Sequence, residues 1–357
     1  MSIATVSRVV NGHRAIRDET RERVLQAVRE LRFVPNSAAR GLSSGQMRVI
    51  GLVFARVPSE DDLLELEEET LLFTDSVIRG AELAAQRHGY SLLLHGTGGE
   101  KAAGALAALA SKTDGLILTD RVLPERRVST IARNFPVVLL AGSGRSRTAV
   151  TVRADNQMGM RLLADHLVVE HGLRRLAFLA GSTGSPDSDA RAQSFRAEAE
   201  RLGATLEPPE WWEGDFTSAG AAAVVRRRLA RGGPLPQAIA CANDSSAVGA
   251  QHALAAAGVQ VPTDVAVAGF DDIPLARHLT PALTTVHQPI QQLGMVAVEA
   301  LIGKVEGAAG GTRDIVLPTQ LVVRASCGCP ATVVDALSDW GADPPPSAAG
   351  STTALRP

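Results

Sequence analysis

The sequence predicts an α/β protein in which two doubly wound parallel-sheet lobes follow a small all-α module. After residue 48, short apolar runs of buried-strand type alternate with helical segments, which is the pattern of parallel sheets covered by helices on both faces. Before residue 48, two amphipathic segments are separated by turn residues. Charge divides the chain at the same place, since residues 1–48 hold nine Arg against four Asp or Glu, whereas the remainder holds 27 basic against 34 acidic residues.

The first segment predicts a short helix whose open side suits a DNA major groove. Small polar residues and Arg8 lie opposite an apolar face, and Asn11-Gly12 ends the helix. The apolar face consists of Ile3, Val6, Val9 and Val10. A small basic module ahead of a larger acidic body is also the charge distribution of proteins that meet nucleic acid.

A second amphipathic helix opens at Asp18-Glu19-Thr20, where acidic side chains favour a helix N-terminus. Its apolar stripe consists of Val24, Leu25, Val28 and Leu31. Val34-Pro35-Asn36 then breaks the helical pattern, and a short segment runs from Ser37 to Leu42. A solvated Arg-rich helix explains part of the charge, but it does not explain this helix-break-helix-break order.

This run resembles the DNA-binding headpiece of the lactose-repressor/galactose-repressor family of bacterial transcription regulators. SIATVSRVVNG is similar to that family's recognition helix and the turn after it, and FVPNSAARGL to the end of the third helix and the hinge helix. The resemblance implies that Ile3, Ala4 and Arg8 face base edges, with Arg8 placed for a bidentate contact to guanine. It also implies phosphate contacts for Ser2, Thr5, Ser7 and Asn11, and a minor-groove wedge for Leu42.

The headpiece as written is partial by comparison with that family. A helix-turn-helix needs a first helix that braces the recognition helix, and Met1 stands where the family has the turn between the two helices. We expect the codons just upstream to encode a short amphipathic helix. A stop codon there would contradict this expectation.

The body of the chain alternates apolar runs with helical stretches. Strands are predicted at Val49–Phe54, Ser91–Leu94, Gly115–Leu118, Pro136–Leu140, Leu176–Ala180, Ala238–Ala242 and Val265–Phe270. Helices are predicted at Ser76–His88, Met158–His171, Ala190–Leu202, Ser245–Ala257 and Gln291–Val305.

These elements predict the following domains. A headpiece (1–34) and a hinge (35–48) precede a first lobe of residues 49–153 plus about 288–312. The second lobe takes residues 154–285 plus about 313–328, so the chain crosses between the lobes three times. Residues 329–357, rich in Pro, Ser, Ala and Gly, predict a disordered tail.

Ligands of open α/β sheets bind beyond the carboxyl ends of the strands, and polar clusters follow the apolar runs here. The motifs TDGLILT, RADN, GSTGSPDSDAR, CANDSSAVGA and VPTDVAVAGFDD resemble the regulatory core of the same family, which is similar in fold to periplasmic sugar-binding proteins. The resemblance implies that a small effector, a sugar or sugar derivative, binds in a cleft between the lobes.

Within that cleft the resemblance assigns Arg191 as the clamp on the effector, since a guanidinium fork can grip vicinal hydroxyls or a carboxylate. Asp271 would accept hydrogen bonds from ligand hydroxyls, and Phe216 would form an aromatic wall. The remaining implied contacts are Ser185, Asp187 and Asn243 from the same lobe, and Phe73 and Arg121 from the other.

Two features depart from the family pattern. Residues 58–72 replace a short loop and carry seven acidic residues between Glu60 and Glu69. Such a run usually makes a solvated helix or a mobile loop, and the sharper hypothesis is a lid that repels anionic effectors. Ala141 follows a strand where relatives often have an acid, which leaves the identity of the sugar open.

Other functional classes lack a converging signal. Cys241, Cys327 and Cys329 make neither a disulfide framework nor a zinc pattern, and the eight histidines are scattered without ligand spacing, so we expect no metal and no cofactor. A G-x-S-x-G match at Gly41–Gly45 precedes the first predicted strand, whereas a hydrolase serine follows one, so no enzyme is predicted. The chain shows neither an apolar run of transmembrane length nor a signal-peptide core, and we expect a cytoplasmic location.

The mechanism predicted from these features is allosteric control of transcription, with repression as the expected direction. A homodimer would set two headpieces on roughly palindromic operator DNA, because operator symmetry mirrors protein symmetry. Effector binding between the lobes would change the affinity for that DNA. The alternative is a cytoplasmic sugar-binding protein without a DNA-binding role.

Overall fold

The computed structural model describes residues 2–10, 16–31, 46–55, 71–144, 146, 148–307 and 312–330. Within these ranges the chain forms two short N-terminal helices followed by two α/β lobes, each built on a six-stranded sheet. The predicted fold class is confirmed. Among the described helices, none has the length and apolar character needed to cross a bilayer.

The N-terminal helices are α1 (Ile3–Val10) and α2 (Asp18–Glu30). Ser2 begins α1 as its cap, because its Oγ accepts a hydrogen bond from the backbone N–H of Thr5 at 3.2 Å. The two helices contact each other, and Val9 and Val24, one from each predicted apolar face, are only 6% and 3% exposed. Residues 35–45 of the predicted hinge (35–48) lie outside the described residues.

The two lobes follow in chain order, with strands and helices close to the predicted ranges. The strands are β1 (Val49–Ala55), β2 (Ser91–Thr97), β3 (Gly115–Thr119), β4 (Val137–Leu140), β5 (Val150–Ala154), β6 (Arg175–Leu179), β7 (Thr205–Leu206), β8 (Ala238–Cys241), β9 (Ala266–Asp271), β10 (Thr284–His287), β11 (Asp314–Leu317) and β12 (Gln320–Val322). The lobe helices are α3 (Leu71–Arg87), α4 (Ala102–Ala110), α5 (Glu125–Ile131), α6 (Asn156–Asp165), α7 (Pro186–Arg201), α8 (Ser218–Ala230), α9 (Asp244–Ala256) and α10 (Ile290–Val305).

The first sheet has the order β11-β5-β4-β3-β1-β2 with every pairing parallel. The second has the order β12-β10-β9-β8-β6-β7 and is parallel except for its edge strand β12. Apolar side chains are buried on both faces of each sheet, as expected for parallel strands covered by helices on two sides. Polar side chains lie at the carboxyl ends of several strands, among them Asp120 after β3 and Asp271 at the end of β9.

One predicted domain boundary is wrong. The sequence predicts that residues from about 313 to 328 belong to the second lobe. Instead, β11 pairs in parallel with β5 of the first sheet, and the backbone N–H of Thr151 donates to the carbonyl of Arg313 at 2.7 Å. The physical reason is that α10 returns the chain to the first lobe, where β11 completes the open edge of β5. The third crossing therefore lies between Leu317 and Gln320.

Two glycines bring helices α3 and α10 together. A Cβ atom added to Gly80 would overlap the backbone carbonyl of Gln291, and one added to Gly294 would overlap the carbonyl oxygen of Val77. Close backbone approach of this kind is possible only without a side chain. The pair fixes the helix that carries the chain back into the first lobe.

We predict that Gly80→Ala lowers the free energy of unfolding by about 1–3 kcal/mol, because the added methyl meets backbone atoms that cannot rotate away. Urea denaturation measures this change. Gly104→Ala is the matched control, since Gly104 lies in helix α4 with no atom near its added Cβ, and there the substitution should stabilise by up to about 1 kcal/mol through helix propensity. Equal stabilities of the two variants would contradict the packing assignment.

Candidate functional site

The candidate site is built around helix α7, at the carboxyl ends of the second-lobe strands. Ser185 caps this helix and Pro186 occupies its first turn, a combination that fixes a helix start. Asp187 and Arg191 are four residues apart and therefore lie on the same helix face. Ser185 and Arg191 are 1% and 3% exposed, so this face is directed into the protein.

The guanidinium of Arg191 contacts residues from four separate segments. Its Nε donates to Asn156 Oδ1 at 2.8 Å and its Nη1 donates to the carbonyl of Ala242 at 2.7 Å. The carboxylates of Asp187 and Asp271 lie 3.6 and 3.7 Å from its nitrogens. A buried guanidinium is tolerated only with such partners, because an unpaired buried charge is strongly destabilising.

The two carboxylates beside Arg191 titrate unusually. Burial raises the pKa of Asp187 to about 6 and that of Asp271 to about 6, although the nearby charge of Arg191 opposes both shifts. The guanidinium also stacks on the ring of Phe270, with Cζ 3.7 Å from the ring centroid. The cluster thus combines one fixed cation with two carboxylates that change charge near neutral pH.

The crossings between the lobes contact this cluster directly. Asn156 follows the first crossing, and its Nδ2 donates to Asp187 Oδ1 at 2.8 Å. Gln288 lies at the second crossing and donates to Asp271. The first and third crossings are joined to each other, because Thr319 Oγ1 donates to the carbonyl of Asp155 at 2.9 Å. Movement of the crossings must therefore alter the surroundings of Arg191.

A further contact joins the two lobes directly. Ser185 Oγ in the second lobe donates to Asp120 Oδ2 at 2.7 Å, and Asp120 follows β3 of the first lobe. Arg121 Nε lies 3.6 Å from the same carboxylate. Arg121 therefore lies beside the interlobe contact, and its guanidinium group is partly exposed.

Backbone strain marks three of the predicted site residues. Arg121, Phe216 and Asp271 have φ angles of 61°, 76° and 122°, and Ala141 also has a positive φ of 60°. Each such residue costs about 1–3 kcal/mol, and such strain concentrates at functional sites. No signal in the sequence predicts these angles, since none of the four is a glycine.

Asn243 serves the site indirectly. Its Oδ1 accepts a hydrogen bond from the backbone N–H of Ser246 as the cap of helix α9, and its Nδ2 donates to the carbonyl of Phe216 at 3.0 Å. Both ends of the amide are thus used within the protein, so Asn243 positions Phe216. The ring of Phe216 lies over Gly181, where an added Cβ would overlap it.

Phe73 is not joined to the Arg191 cluster by any contact of the described residues. It lies near the start of α3 and packs against the apolar core of the first lobe. The acidic segment between Glu60 and Glu69, predicted as a lid, lies outside the described residues.

The predicted DNA-contacting residues are described only in part. Ser2 and Arg8 are exposed, and Thr5 is half-buried with its hydroxyl 2.9 Å from that of Ser2. The side chains of Ile3, Ala4 and Ser7, and the whole of Asn11 and Leu42, lie outside the described part of the chain.

Sequence reasoning missed three side chains of the cluster as individual contacts. Asn156, Gln288 and Asp120 each follow a strand of their lobe, the position at which ligand contacts are expected. That positional rule, applied to every strand, was the signal available for them.

Two family models match the chain. Residues 1–36 match the model for bacterial regulatory proteins of the lacI family, and residues 164–327 match that for the periplasmic binding protein-like domain. The chain is 31% identical to an HTH-type transcriptional repressor PurR of Vibrio vulnificus (strain CMCP6) over 91% of its own length and 94% of the relative's. It is likewise 31% identical to the ribose operon repressor of Escherichia coli (strain K12), over 91% and 96%.

Solved structures with the same fold include DNA-bound and ligand-bound regulators. The lac repressor dimer bound to operator and the anti-inducer ONPF superposes with a TM-score of 0.78 at 27% identity, covering 92% of this chain and 96% of that one. The complex of the transcriptional regulator CelR with cellobiose gives a TM-score of 0.66 at 30% identity, over 90% and 95%.

We predict that Asp187→Asn flattens the dependence of stability on pH. The folded-state pKa of about 6 exceeds the ordinary value of 3.8, so the folded protein binds this proton more tightly than the unfolded chain does. The free energy of unfolding therefore falls as the pH rises from about 4 through 6. Thermal unfolding across that range, with the exposed Asp189→Asn of the same helix as control, measures the effect. An unchanged slope in Asp187→Asn would contradict it.

Proposed function

Because the chain belongs to the lacI family of bacterial regulatory proteins, we propose that it represses transcription and that a small effector held between its lobes controls its grip on operator DNA. The observation that carries the proposal is the Arg191 cluster. In it, the side chains predicted to contact the effector are hydrogen-bonded to residues at the crossings between the lobes. Its relatives are transcriptional repressors, which supports a regulatory rather than an enzymatic role for this chain.

The proposed effector is a sugar or sugar derivative. Relatives include a repressor of a ribose operon and a regulator in complex with cellobiose. A polyhydroxylated ligand suits a site that offers one guanidinium fork and two carboxylate acceptors. In this proposal Arg191 grips vicinal hydroxyls, and Asp187 and Asp271 accept hydrogen bonds.

The remaining predicted residues take supporting roles. Phe216 forms an aromatic wall over Gly181, and Asn243 holds its backbone in the strained conformation. Ser185 and Arg121 lie where the two lobes meet at Asp120, so a ligand entering there replaces the interlobe hydrogen bond. Phe73, which packs against the core of the first lobe, would contact the effector from that lobe.

In this proposal, the contacts between Arg191 and the lobe crossings couple effector binding to DNA binding. An effector that engages Arg191 competes with Asn156 and Ala242 for its donors, and Asn156 begins the segment after a crossing. The lobes then change their closure, and the hinge between residues 35 and 48 transmits the change to the headpiece. Such coupling commonly amounts to about 1–3 kcal/mol.

We place the protein on DNA as a homodimer, like the lac repressor dimer bound to its operator. The twofold axis requires a roughly palindromic operator. Arg8, Ile3 and Ala4 read base edges. Ser2, Thr5, Ser7 and Asn11 hold phosphates, and Leu42 enters the minor groove.

A sugar-binding protein without a DNA role is the second candidate. The match of residues 1–36 to the lacI family model favours the repressor instead. Salt-dependent binding of the protein to an operator duplex separates the two, because contacts with phosphates weaken as salt rises.

We predict that Arg191→Lys removes the effector response and keeps operator binding. Lysine preserves the charge beside Asp187 and Asp271 but lacks the fork, and loss of one charge-assisted hydrogen bond lowers effector affinity roughly 10- to 150-fold. A panel of sugars and nucleosides, beginning with ribose and cellobiose, first identifies a ligand by thermal shift, and calorimetry then measures affinity. Arg196→Ala on the same helix, half-exposed and paired with Glu200, is the control and should respond normally. An unaltered response of Arg191→Lys would refute the site.

We further predict that Arg8→Ala weakens operator binding by roughly 5- to 150-fold, since one bidentate base contact is worth about 1–3 kcal/mol. Fluorescence anisotropy with a labelled operator measures the affinity at fixed salt. Arg29→Ala removes an equal charge from the other described headpiece helix and should have a smaller effect, independent of base sequence. Identical losses in the two variants would argue against a base-reading role for Arg8.

A further inference from the structure

Four side chains that the effector mechanism does not use converge near the end of the second lobe. They are His166, His171, Cys327 and Cys329, and their donor atoms all lie within 4.8 Å of one another. We propose that these residues form a tetrahedral zinc site that fastens the end of the regulatory core to the segment following helix α6. The sequence shows no zinc pattern here, because the two histidines and the two cysteines are far apart in the chain.

The distances between the donor atoms fit a tetrahedral zinc ion. Zinc bonds of about 2.0–2.1 Å to nitrogen and 2.3 Å to sulfur in that geometry imply roughly 3.3 Å between two nitrogens and roughly 3.6 Å between nitrogen and sulfur. The two Nε2 atoms are 3.2 Å apart. The nitrogen–sulfur distances are 3.4 Å for His166–Cys327, 3.3 Å for His171–Cys329 and 3.8 Å for His166–Cys329.

The backbone brings the two histidines together by an unusual turn. Residues His166–Glu170 form a π-helix that continues α6, and the N–H of His171 donates to the carbonyl of His166 at 3.3 Å. In a regular α-helix, residues five apart point in directions about 140° from each other. The wider π turn places both rings on one side, with centroids 4.8 Å apart and planes at 82°. Single π turns of this kind frequently mark functional sites.

The two cysteines are turned toward the histidines by the glycine between them. Cys327 ends a short 3-10 turn, and Gly328 has a φ of 104°, which L side chains rarely adopt. The C-G-C sequence can therefore direct both sulfurs to the same side of the chain. Cys327 and His166 are 3% and 9% exposed, while Cys329 and His171 are half-buried, so the site has an inner and an outer half.

Zinc is the occupant that the donor set favours. Two imidazole nitrogens with two thiolate sulfurs in a closed, four-coordinate arrangement are typical of structural zinc sites. A disulfide between Cys327 and Cys329 would use only the sulfurs and would leave the convergence of both histidines without a role. The expected role is structural, because all four positions are filled by protein ligands.

The first experiment uses the full-length, untagged protein. Elemental analysis after exposure to zinc and gel filtration should find about one zinc per chain. The metal-stripped protein, titrated with Co²⁺, should develop the visible d–d bands of tetrahedral cobalt and a thiolate-to-cobalt charge-transfer band. Chelation should lower the thermal unfolding temperature of the zinc-loaded protein. Absence of bound zinc together with absence of tetrahedral cobalt bands would overturn the proposal, as would a Cys327–Cys329 disulfide in protein prepared under reducing conditions.

The second experiment uses ligand variants with matched controls. Cys329→Ser and His171→Gln, both at half-buried positions, should lose zinc and the cobalt bands and should no longer respond to the chelator. Cys241→Ala, in the buried strand β8, and His278→Gln, at an exposed position, should keep one zinc per chain. Zinc retained by both ligand variants at wild-type affinity would overturn the assignment. If a variant fails to fold, the cobalt spectrum of the wild-type protein still tests the proposal, because it requires no substitution.

Discussion

The buried guanidinium of Arg191 is the constraint around which the regulatory core is arranged. A cation with 3% of its surface exposed must find its hydrogen-bond and charge partners inside the protein. Those partners come from an interlobe crossing, from helix α7 and from the ends of two strands. One side chain thus holds together elements that are distant in sequence. In the proposed mechanism, a ligand that competes for Arg191 changes their relative positions.

Several unfavourable free-energy terms are concentrated at the site, which suits a protein that changes between two degrees of lobe closure. Asp187 and Asp271 are held with raised pKa values because burial disfavours their charged forms, and strained backbone at Arg121, Phe216 and Asp271 adds further cost. The hydrogen bond between Ser185 and Asp120 joins the two lobes beside this cluster. A structure that stores such costs around a polar cleft releases some of them when a hydroxyl-rich ligand supplies better partners. Binding energy is then available to change the closure of the lobes.

Helix α6 connects the proposed effector site with the proposed zinc site. Its first residue, Asn156, contacts Arg191 and Asp187, and the π turn that continues its other end presents His166 and His171 to the cysteines. A metal at that end would restrain helix α6, which carries Asn156 and its contact with Arg191. The second lobe would then act as a rigid body, and closure would be confined to the three crossings.

The sequence by itself determined the elements of this fold and the family to which the chain belongs. Apolar runs such as that at Val49–Ala55 and helix starts such as Ser185-Pro186 are local signals, since they depend on periodicity and capping within a few residues. The resemblance to the family then supplied Arg191, Asp271 and Arg121.

Only the tertiary structure decided which distant residues meet. It assigned β11 to the first sheet, because strand pairing depends on which edge remains open. It brought Asn156, Gln288 and Asp120 to the cleft, and it joined His166 to Cys327 across 161 residues of sequence. It also gave Asn243 a capping role that its position after a strand did not reveal. The physical reason is that periodicity reports the face of one element, whereas contacts between elements follow from how loops, crossings and sheet order close the chain on itself.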